Sequence, residues 1–365
     1  MHASARIVFV LDVRSHHERD TPMRNQRPPQ DQSDAGLNIL MIVDPLHTLN
    51  PGHDTSVAII EAAQRRGHAV YVTTAESLSI EEGAAVALCE RIRVEPAVLD
   101  KGRWLSRTDW YRVDSEAALR LDSFDAVLMR TDPPFDAAYL SATYVLDLVD
   151  SAKTLMLNSP AGLRNANEKL FGLRVPEVGP ATLVTSDVGR IVDQVREWGK
   201  AVLKPIDAMA GRGILILDPD DANLRSILES STERGAKRVV VQRWIDEVVA
   251  GDRRVIVIDG KPVGAVRRVA CGDDFRCNMA AGAVTVADTI NDDDRRICSA
   301  LTPHLREHGL IFAGIDVIGG QLTEINVTSP TGIREIDALS GSDLGGELVS
   351  WIEVHSGVGM SLGAQ

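Results

Sequence analysis

Short apolar runs alternate with helical patterns in the first part of the chain, and this alternation most constrains the fold. The runs lie at residues 38–43, 69–72 and 124–129. Such runs are typical of strands buried in a parallel sheet. Between the first two, Asp54 and the residues after it can cap a helix that ends at Arg66, just before Gly67. The alternation predicts a doubly wound parallel sheet over residues 37–158, with ligands at the carboxyl ends of its strands.

The pattern changes after residue 158, where two α+β subdomains are predicted, 159–240 and 241–365. Strands are expected in the first at 201–205, 213–217 and 238–242, with a helical segment at 221–231. Strands are expected in the second at 254–258, 313–318 and 321–325, with a helix at 292–307. Residues 1–36 are predicted to be a disordered extension, because the segment 14–36 is nearly free of apolar side chains.

Composition limits the partners of the chain. Its 365 residues include 39 basic and 52 acidic ones, for a formal net charge of −13. Nucleic-acid binding relies on clustered Lys and Arg, so no nucleic-acid partner is expected. No stretch approaches the roughly 18–20 apolar residues that span a bilayer, and the short run at 7–13 does not suit a signal peptide. Four cysteines without a CxxC pair indicate reduced thiols and a cytoplasmic location.

Basic residues at strand ends are the first candidates for chemistry, because the chain has neither a GxxxxGK[ST] loop nor a strand-borne GxGxxG. Lys204 ends a predicted strand and is followed by Pro205 and then by a turn of small residues at 208–213. A lysine in that position can hold nucleotide phosphates while amides of the turn cover them. A surface lysine is the alternative at Lys204. Arg130 follows the strand 124–129 at its carboxyl end.

Three oxygen-bearing side chains flank a Gly-Gly turn near the end of the chain. Asp316 precedes Gly319-Gly320, and Glu324 and Asn326 follow it. The latter two are two residues apart on a predicted strand and therefore point to the same face. Carboxylate and amide oxygens suit Mg²⁺, which also bridges substrate phosphates. The alternative is the solvated face of an edge strand.

Taken together, several segments resemble ATP-grasp enzymes and, among them, the bacterial glutathione synthetases. The segments are 129–135, 142–146, 165–170, 203–205 and 322–335, and the resemblance covers nearly all of residues 37–355. It implies an ATP-grasp fold in which the two α+β subdomains grip a nucleotide. It also implies an ATP-dependent C–N ligase that joins γ-glutamylcysteine to glycine through an acyl phosphate, with cleavage of ATP to ADP and phosphate.

The resemblance further implies roles for individual residues. ATP would contact Lys169, Lys204, Gly211, Gln242, Trp244, Ile245, Asp252 and Arg268. Mg²⁺, with Mn²⁺ as an alternative, would be bound by Asp316, Glu324 and Asn326. Catalytic roles fall on Arg130, Arg254 and Arg276, and substrate contacts on Arg130, Asn278, Asn326, Ser329, Thr331 and Gly332. Small amino-acid or peptide substrates, no membrane partner, and a homo-oligomer (dimer or tetramer) are expected.

Two segments depart from the family pattern and keep alternatives open. A turn that typically reads Asp-Gly-x-Gly-Gly is Asp207-Ala-Met-Ala-Gly211 here, and Cys277 stands where a glycine is usual. A paralogous ligase that joins glutamate or another amino-acid carboxylate to a different amine is one alternative. A nucleotide-binding regulatory module is another. The loop 268–284 is predicted to be a lid, because an acyl phosphate must be shielded from water.

Overall fold

The structure of the protein is a computed structural model that describes residues 36–209, 211–270, 277 and 282–356. The strands are β1 (Asn38–Ile42), β2 (Ala69–Thr73), β3 (Leu78–Glu81), β4 (Ala84–Val94), β5 (Val98–Asp100), β6 (Arg103–Leu105), β7 (Tyr111–Arg120), β8 (Ala126–Met129), β9 (Leu155–Leu157), β10 (Thr182–Thr185), β11 (Ala201–Pro205), β12 (Leu215–Leu217), β13 (Val239–Arg243), β14 (Asp252–Ile258), β15 (Lys261–Val269), β16 (Val284–Ala287), β17 (Phe312–Ile318) and β18 (Gln321–Asn326). The α-helices are α1 (Thr55–Arg65), α2 (Ala137–Leu146), α3 (Pro160–Asn165), α4 (Val188–Trp198), α5 (Leu224–Ser231), α6 (Asp292–Glu307), α7 (Ile333–Ser340) and α8 (Leu344–Ser356). The predicted extension falls, apart from Gly36, outside the described residues.

The first sheet is parallel at its centre and antiparallel along one side. Strands β2, β1, β8 and β9 are neighbours in that order and run parallel, as the alternation predicted. Strand β4 pairs antiparallel with β2, and β3 and β7 both pair antiparallel with β4. The sequence did not predict β7, because most of its side chains are exposed and no buried apolar run marks this strand.

Side chains of β1 alternate between two cores on opposite faces of this sheet. Leu40 and Ile42 pack with residues of α2 and α3, whereas Ile39 and Met41 pack with residues of α1 and α8. Because successive side chains of a strand point to opposite faces, a strand covered on both faces must be apolar throughout. Helices on both faces make the sheet doubly wound, as predicted.

Two antiparallel sheets form the rest of the fold. The second has the strand order β10-β13-β11-β12, and α4 and α5 supply its core through residues such as Ile191 and Leu228. The third has the order β16-β15-β14-β17-β18. Gly319 and Gly320, both with positive φ, form the two-residue turn between β17 and β18. No helix in the described ranges is long and apolar enough to cross a bilayer.

A buried ion pair joins α1, which packs on the first sheet, to α7, which follows the third. Glu61 on α1 accepts a 2.6 Å hydrogen bond from Nη2 of Arg334 on α7, and both side chains are buried. The Arg334 guanidinium lies 4.7 Å from the ring centroid of Trp104 in β6, and the indole N–H donates to the Arg334 carbonyl at 2.7 Å. The pair thus links three segments that are distant in the sequence.

Removing the acid of this pair is expected to be costly. Glu61→Ala leaves the Arg334 charge buried without its carboxylate, and the loss of one partner from such a pair costs about 3–5 kcal/mol. Urea unfolding measures the change. The control is Arg65→Ala in the same helix, which breaks an exposed pair with Asp343 and is expected to cost about 1 kcal/mol or less. Equal stability of the two variants would contradict the assignment of a stabilising role to the buried pair.

Candidate active site

A cavity between the second and third sheets collects most of the predicted nucleotide residues. It is lined by Pro180, Val202, Lys204, Ile214, Gln242, Arg243, Trp244, Ile245, Val248, Asp252, Cys277, Asp316, Ile318, Thr323 and Glu324. The apolar part of this lining includes Trp244 and Ile245, which directly follow β13, together with side chains from several other segments. The charged part comes from β11 and from the paired strands β14, β17 and β18. The cavity therefore offers both apolar surface for a flat group and charged side chains for an anionic one.

Two lysines near Glu324 are buried, so the surface-lysine alternative does not hold for Lys204. Lys204 is 8% exposed, and its Nζ donates to the Thr323 carbonyl at 3.3 Å. Burial lowers the pKa of Lys204, while the Glu324 carboxylate partly opposes that shift. Lys169 Nζ lies 3.3 Å from Glu324 Oε1 and also donates to the Ala208 carbonyl. Two buried ammonium groups beside one carboxylate favour the binding of a further anion.

Two arginines hold the Asp316 carboxylate. Arg254 binds it in a bidentate manner, with Nε 2.6 Å from Oδ1 and Nη2 3.2 Å from Oδ2. Arg268 Nη2 lies 3.0 Å from the same Oδ1 and also binds Asp252 in a bidentate manner. Burial alone would raise the pKa of Asp316, but the two guanidinium groups outweigh it and hold that pKa well below its usual range. Burial raises the pKa of Asp252 to about 6, although Arg268 acts against it.

The three predicted metal ligands lie on one face of a β-ladder. Asp316 is paired with Glu324 across β17 and β18, and Asn326 is paired with Gly314 two residues further along. Asn326 Nδ2 donates to the Gly314 carbonyl at 3.4 Å, which leaves the amide oxygen as a ligand atom. Two carboxylates and an amide oxygen match the hard donors that Mg²⁺ prefers. Among the described residues, no group of three or more His, Cys, Asp or Glu side chains could hold a metal ion, so this set reaches three ligands only with the Asn326 amide oxygen.

Glu168 is a site residue that the sequence did not reveal. Its Oε1 accepts hydrogen bonds from the backbone N–H of Val327 at 2.9 Å, from that of Thr328 at 3.2 Å, and from the Thr328 hydroxyl at 3.0 Å. Its carbonyl accepts from the N–H of Ile325 at 3.0 Å. Burial raises the pKa of Glu168, although these hydrogen bonds oppose the shift. Glu168 therefore fixes the chain on both sides of Asn326.

Two arginines donate hydrogen bonds to adjacent carbonyls of one turn. Arg130, which follows β8 as predicted, is 4% exposed and donates from Nη2 to the Pro330 carbonyl at 3.0 Å. Arg254 Nη1 donates to the Thr331 carbonyl, also at 3.0 Å. The remaining predicted substrate residues of this region, Ser329 and Gly332, flank these two positions. Gly332 has φ 126° and precedes α7, a conformation that disfavours any side chain there.

The structure corrects the limits of the predicted lid. Arg268 and Val269 belong to β15, Val284 belongs to β16, and Val269 pairs with Val284. The segment between the strands is therefore shorter than 268–284, and Arg268 is a buried strand residue rather than part of a loop. Arg276 and Asn278 lie outside the described residues, as does most of that segment. Gly211 lies inside them and has φ 75°.

Replacing Glu168 tests whether it fixes the end of β18. Glu168→Ala removes the acceptor of three hydrogen bonds, so faster amide hydrogen exchange is expected at Val327 and Thr328. Hydrogen exchange with mass spectrometry of peptides covering 324–330 measures this. Glu168→Gln keeps an acceptor oxygen and is expected to preserve most of the protection. Glu177→Ala, a change at an exposed residue, serves as the control. Unchanged exchange in Glu168→Ala would show that the side chain does not hold this segment.

Solved structures similar to this one are ATP-grasp enzymes. The ATP-grasp ligase PsnB, complexed with minimal precursor, Mg and ADP, has a TM-score of 0.56 at 19% identity, covering 88% of this chain and 98% of PsnB. The D-cycloserine synthetase DcsG has a TM-score of 0.59 at 16% identity, covering 87% of this chain and 99% of DcsG. At these identities the likeness shows the fold alone, which is the ATP-grasp fold.

Sequence comparisons give the family. The prokaryotic glutathione synthetase N-terminal domain matches residues 37–164, and the ATP-grasp domain of the same family matches 168–341. A glutathione synthetase from Nostoc sp. is 47% identical over 317 residues, 87% of this chain and 98% of that protein. One from Thermosynechococcus vestitus is 49% identical over 316 residues, 87% of this chain and 99% of that protein. The chain belongs to the prokaryotic glutathione synthetase family of ATP-dependent ligases.

Proposed function

We propose that the protein joins γ-glutamylcysteine to glycine with cleavage of ATP, in the cavity between the second and third sheets. The observation that carries the proposal is the buried arrangement of Lys169, Lys204 and Arg254 around the carboxylates of Glu324 and Asp316. Such an arrangement suits a polyphosphate bound together with a divalent cation. The family membership of the chain supports the choice of substrates.

The chemistry explains why these residue types are needed. A carboxylate is a poor electrophile, so an oxygen of the cysteinyl carboxylate first attacks the γ-phosphorus of ATP and ADP leaves. The glycine nitrogen then attacks the acyl carbon, phosphate leaves, and the nitrogen loses a proton. Phosphoryl transfer needs positioning and neutralisation of charge rather than a protein nucleophile. The two lysines and Arg254 supply positive charge that is already in place before ATP binds.

Individual residues then take separate tasks. Lys169 and Lys204 contact phosphate oxygens, and the lining from Gln242 to Ile245 holds the base of the nucleotide. Asp316, Glu324 and Asn326 bind Mg²⁺, which supplies further neutralisation of the phosphate charge when it is bound. Arg268 keeps Asp316 ionised and Asp252 in place. Arg130 and the turn at 329–332 face the peptide substrate.

Some features of the proposal rest on the resemblance to the family alone. The roles of Arg276 and Asn278 are of this kind, as is the closure of the segment between β15 and β16 over the acyl phosphate. The subdomain limits at 158 and 240, the cytoplasmic location and the dimeric or tetrameric state stay predictions. The paralogous ligase is disfavoured, because identity to curated glutathione synthetases reaches 49% over 87% of the chain.

The test combines a substrate panel with a variant of a metal ligand. Mass spectrometry after incubation with ATP, Mg²⁺, γ-glutamylcysteine and glycine is expected to show glutathione. Glu324→Ala is expected to lower turnover on the order of 100-fold or more, because a ligand of the phosphate-neutralising cation is lost. Glu307→Ala, at an exposed position on α6, is expected to leave turnover unchanged.

The outcomes separate the alternatives. If γ-glutamylcysteine and glycine gave no product while another carboxylate and amine did, the paralogous ligase would replace this proposal. If nucleotide bound but no pair in the panel were joined, the regulatory module would replace it. A fully active Glu324→Ala enzyme would refute the metal assignment but leave the choice of substrates standing.

A further inference from the structure

A cluster of two arginines and two aspartates lies on one face of the third sheet. Its members are Arg253 on β14, Arg267 on β15, Asp288 just after β16 and Asp294 on α6. Oδ2 of Asp288 lies 2.5 Å from Nη1 of Arg253 and 2.9 Å from Nη2 of Arg267. Oδ2 of Asp294 accepts a 2.5 Å hydrogen bond from Nη2 of Arg253. We call these four residues the Asp288 cluster.

The Asp288 cluster lies directly behind residues of the candidate site. Arg253 stands between Asp252 and Arg254 in β14, and Arg267 precedes Arg268 in β15. Successive side chains of a strand point to opposite faces, so the cluster and the site occupy opposite faces of the same two strands. Arg253 is paired with Arg267 in the ladder, and the adjacent pair is Asp252 with Arg268. A change in the spacing of the first pair is therefore passed to the second.

The pairing of Arg253 with Arg267 brings two like charges together. Like charges directly opposite each other on neighbouring strands are destabilising. The Arg253 side chain is 8% exposed and that of Arg267 is 35% exposed, so water and salt screen the repulsion only in part. Within the cluster, Asp288 contacts both guanidinium groups, whereas Asp294 contacts that of Arg253. The Asp288 carboxylate thus compensates the repulsion across this part of the ladder.

We propose that Asp288 is a positioning residue for the candidate site. It holds β14 and β15 together behind the site and so fixes the points from which Arg254 and Arg268 extend. Arg254 binds the Asp316 carboxylate from β14, and Arg268 binds it from β15. Both contacts therefore depend on the spacing of the two strands, and a displacement of about 1 Å at a site can cost about 100-fold in rate. The inference rests on the proposed function for the ligand, a nucleotide with Mg²⁺, and adds a residue that lies on the other face of the sheet.

A purely structural role for Asp288 leads to a different expectation. If Asp288 served only to anchor the connection between β16 and α6, its loss would lower the Tm and leave the nucleotide affinity of the folded protein unchanged. Removing the charge of Arg267 would then remove a further contact instead of relieving a repulsion. Nucleotide affinity and its recovery in a double variant therefore distinguish the two roles.

The test measures nucleotide binding by the folded protein. The probe is a non-hydrolysable imido analogue of ATP with Mg²⁺, titrated by calorimetry below the Tm of every variant. Asp288→Asn is expected to raise the Kd of the probe about tenfold, because the repulsion between the two guanidinium groups is no longer compensated. The double variant Asp288→Asn with Arg267→Gln is expected to return the Kd to within about threefold of the wild-type value, because the like-charge pair is gone.

Two single variants serve as controls. Arg267→Gln alone leaves the Asp288 carboxylate paired with Arg253, so an unchanged Kd is expected. Asp259→Asn, at the turn between β14 and β15, breaks an ion pair with Arg306 at the other end of the same two strands. An unchanged Kd is expected for this variant as well.

Several outcomes would overturn the inference while the proposed function stands. These are an unchanged Kd in Asp288→Asn, a raised Kd that the double variant does not lower, and an equal rise in Asp259→Asn. If Asp288→Asn does not fold, the double variant decides: a folded protein with a near wild-type Kd supports the inference, and a second unfolded variant overturns it. A wild-type protein that binds the probe but forms no glutathione would overturn the proposed substrates and leave the inference intact. A wild-type protein that does not bind the probe would overturn both.

Discussion

The bidentate contact between Arg254 and Asp316 is the interaction on which the candidate site depends. It lies between neighbouring strands β14 and β17, and both side chains are buried. Burying two charges is costly unless each is paired and its remaining hydrogen-bonding atoms are satisfied. Here the second guanidinium, Arg268, and the Thr331 carbonyl complete the set. The residues that compensate for burying this pair are themselves residues of the candidate site. Replacing any one of them would therefore leave a buried charge without one of its partners.

This dependence produces a site in which opposite charges alternate across the cavity. Lys169 and Lys204 lie beside Glu324, and Arg254 and Arg268 lie beside Asp316. Each carboxylate is held in place by cations, and the two guanidinium groups keep the pKa of Asp316 well below its usual range. Charges fixed in advance need little reorganisation when charge moves during a reaction. That property is what transfer of a phosphoryl group requires from a protein that offers no covalent nucleophile.

The sequence predicted those parts of the fold and site that depend on local spacing. The two-residue period of a strand was enough to place Glu324 and Asn326 on one face of β18. Spacing did not place Asp316 beside them, because a regular register from the Gly319-Gly320 turn would pair Asp316 with Thr323. A register shift between Asp316 and Val317 pairs it with Glu324 instead. Glu168 could not be found this way, because its partners Val327 and Thr328 are about 160 residues away in the sequence. Strand β7 was not predicted, because its side chains are mostly exposed. Arg268 was assigned to a loop because nothing local reveals that Asp252 and Asp316 hold it within a strand.

The backbone turn at Pro330 and Thr331 connects the first sheet to the third near the candidate site. Arg130 extends from the carboxyl end of β8 to the Pro330 carbonyl, and Arg254 extends from β14 to the Thr331 carbonyl. The turn between them follows β18 and leads into α7, whose Arg334 is paired with Glu61 on α1. The first sheet thus contacts this region twice, through Arg130 and through Glu61. Because both contacts are buried, a shift of the first sheet relative to the third would have to break a charged hydrogen bond. The distance between Arg130 and the predicted metal site is therefore fixed by the fold itself.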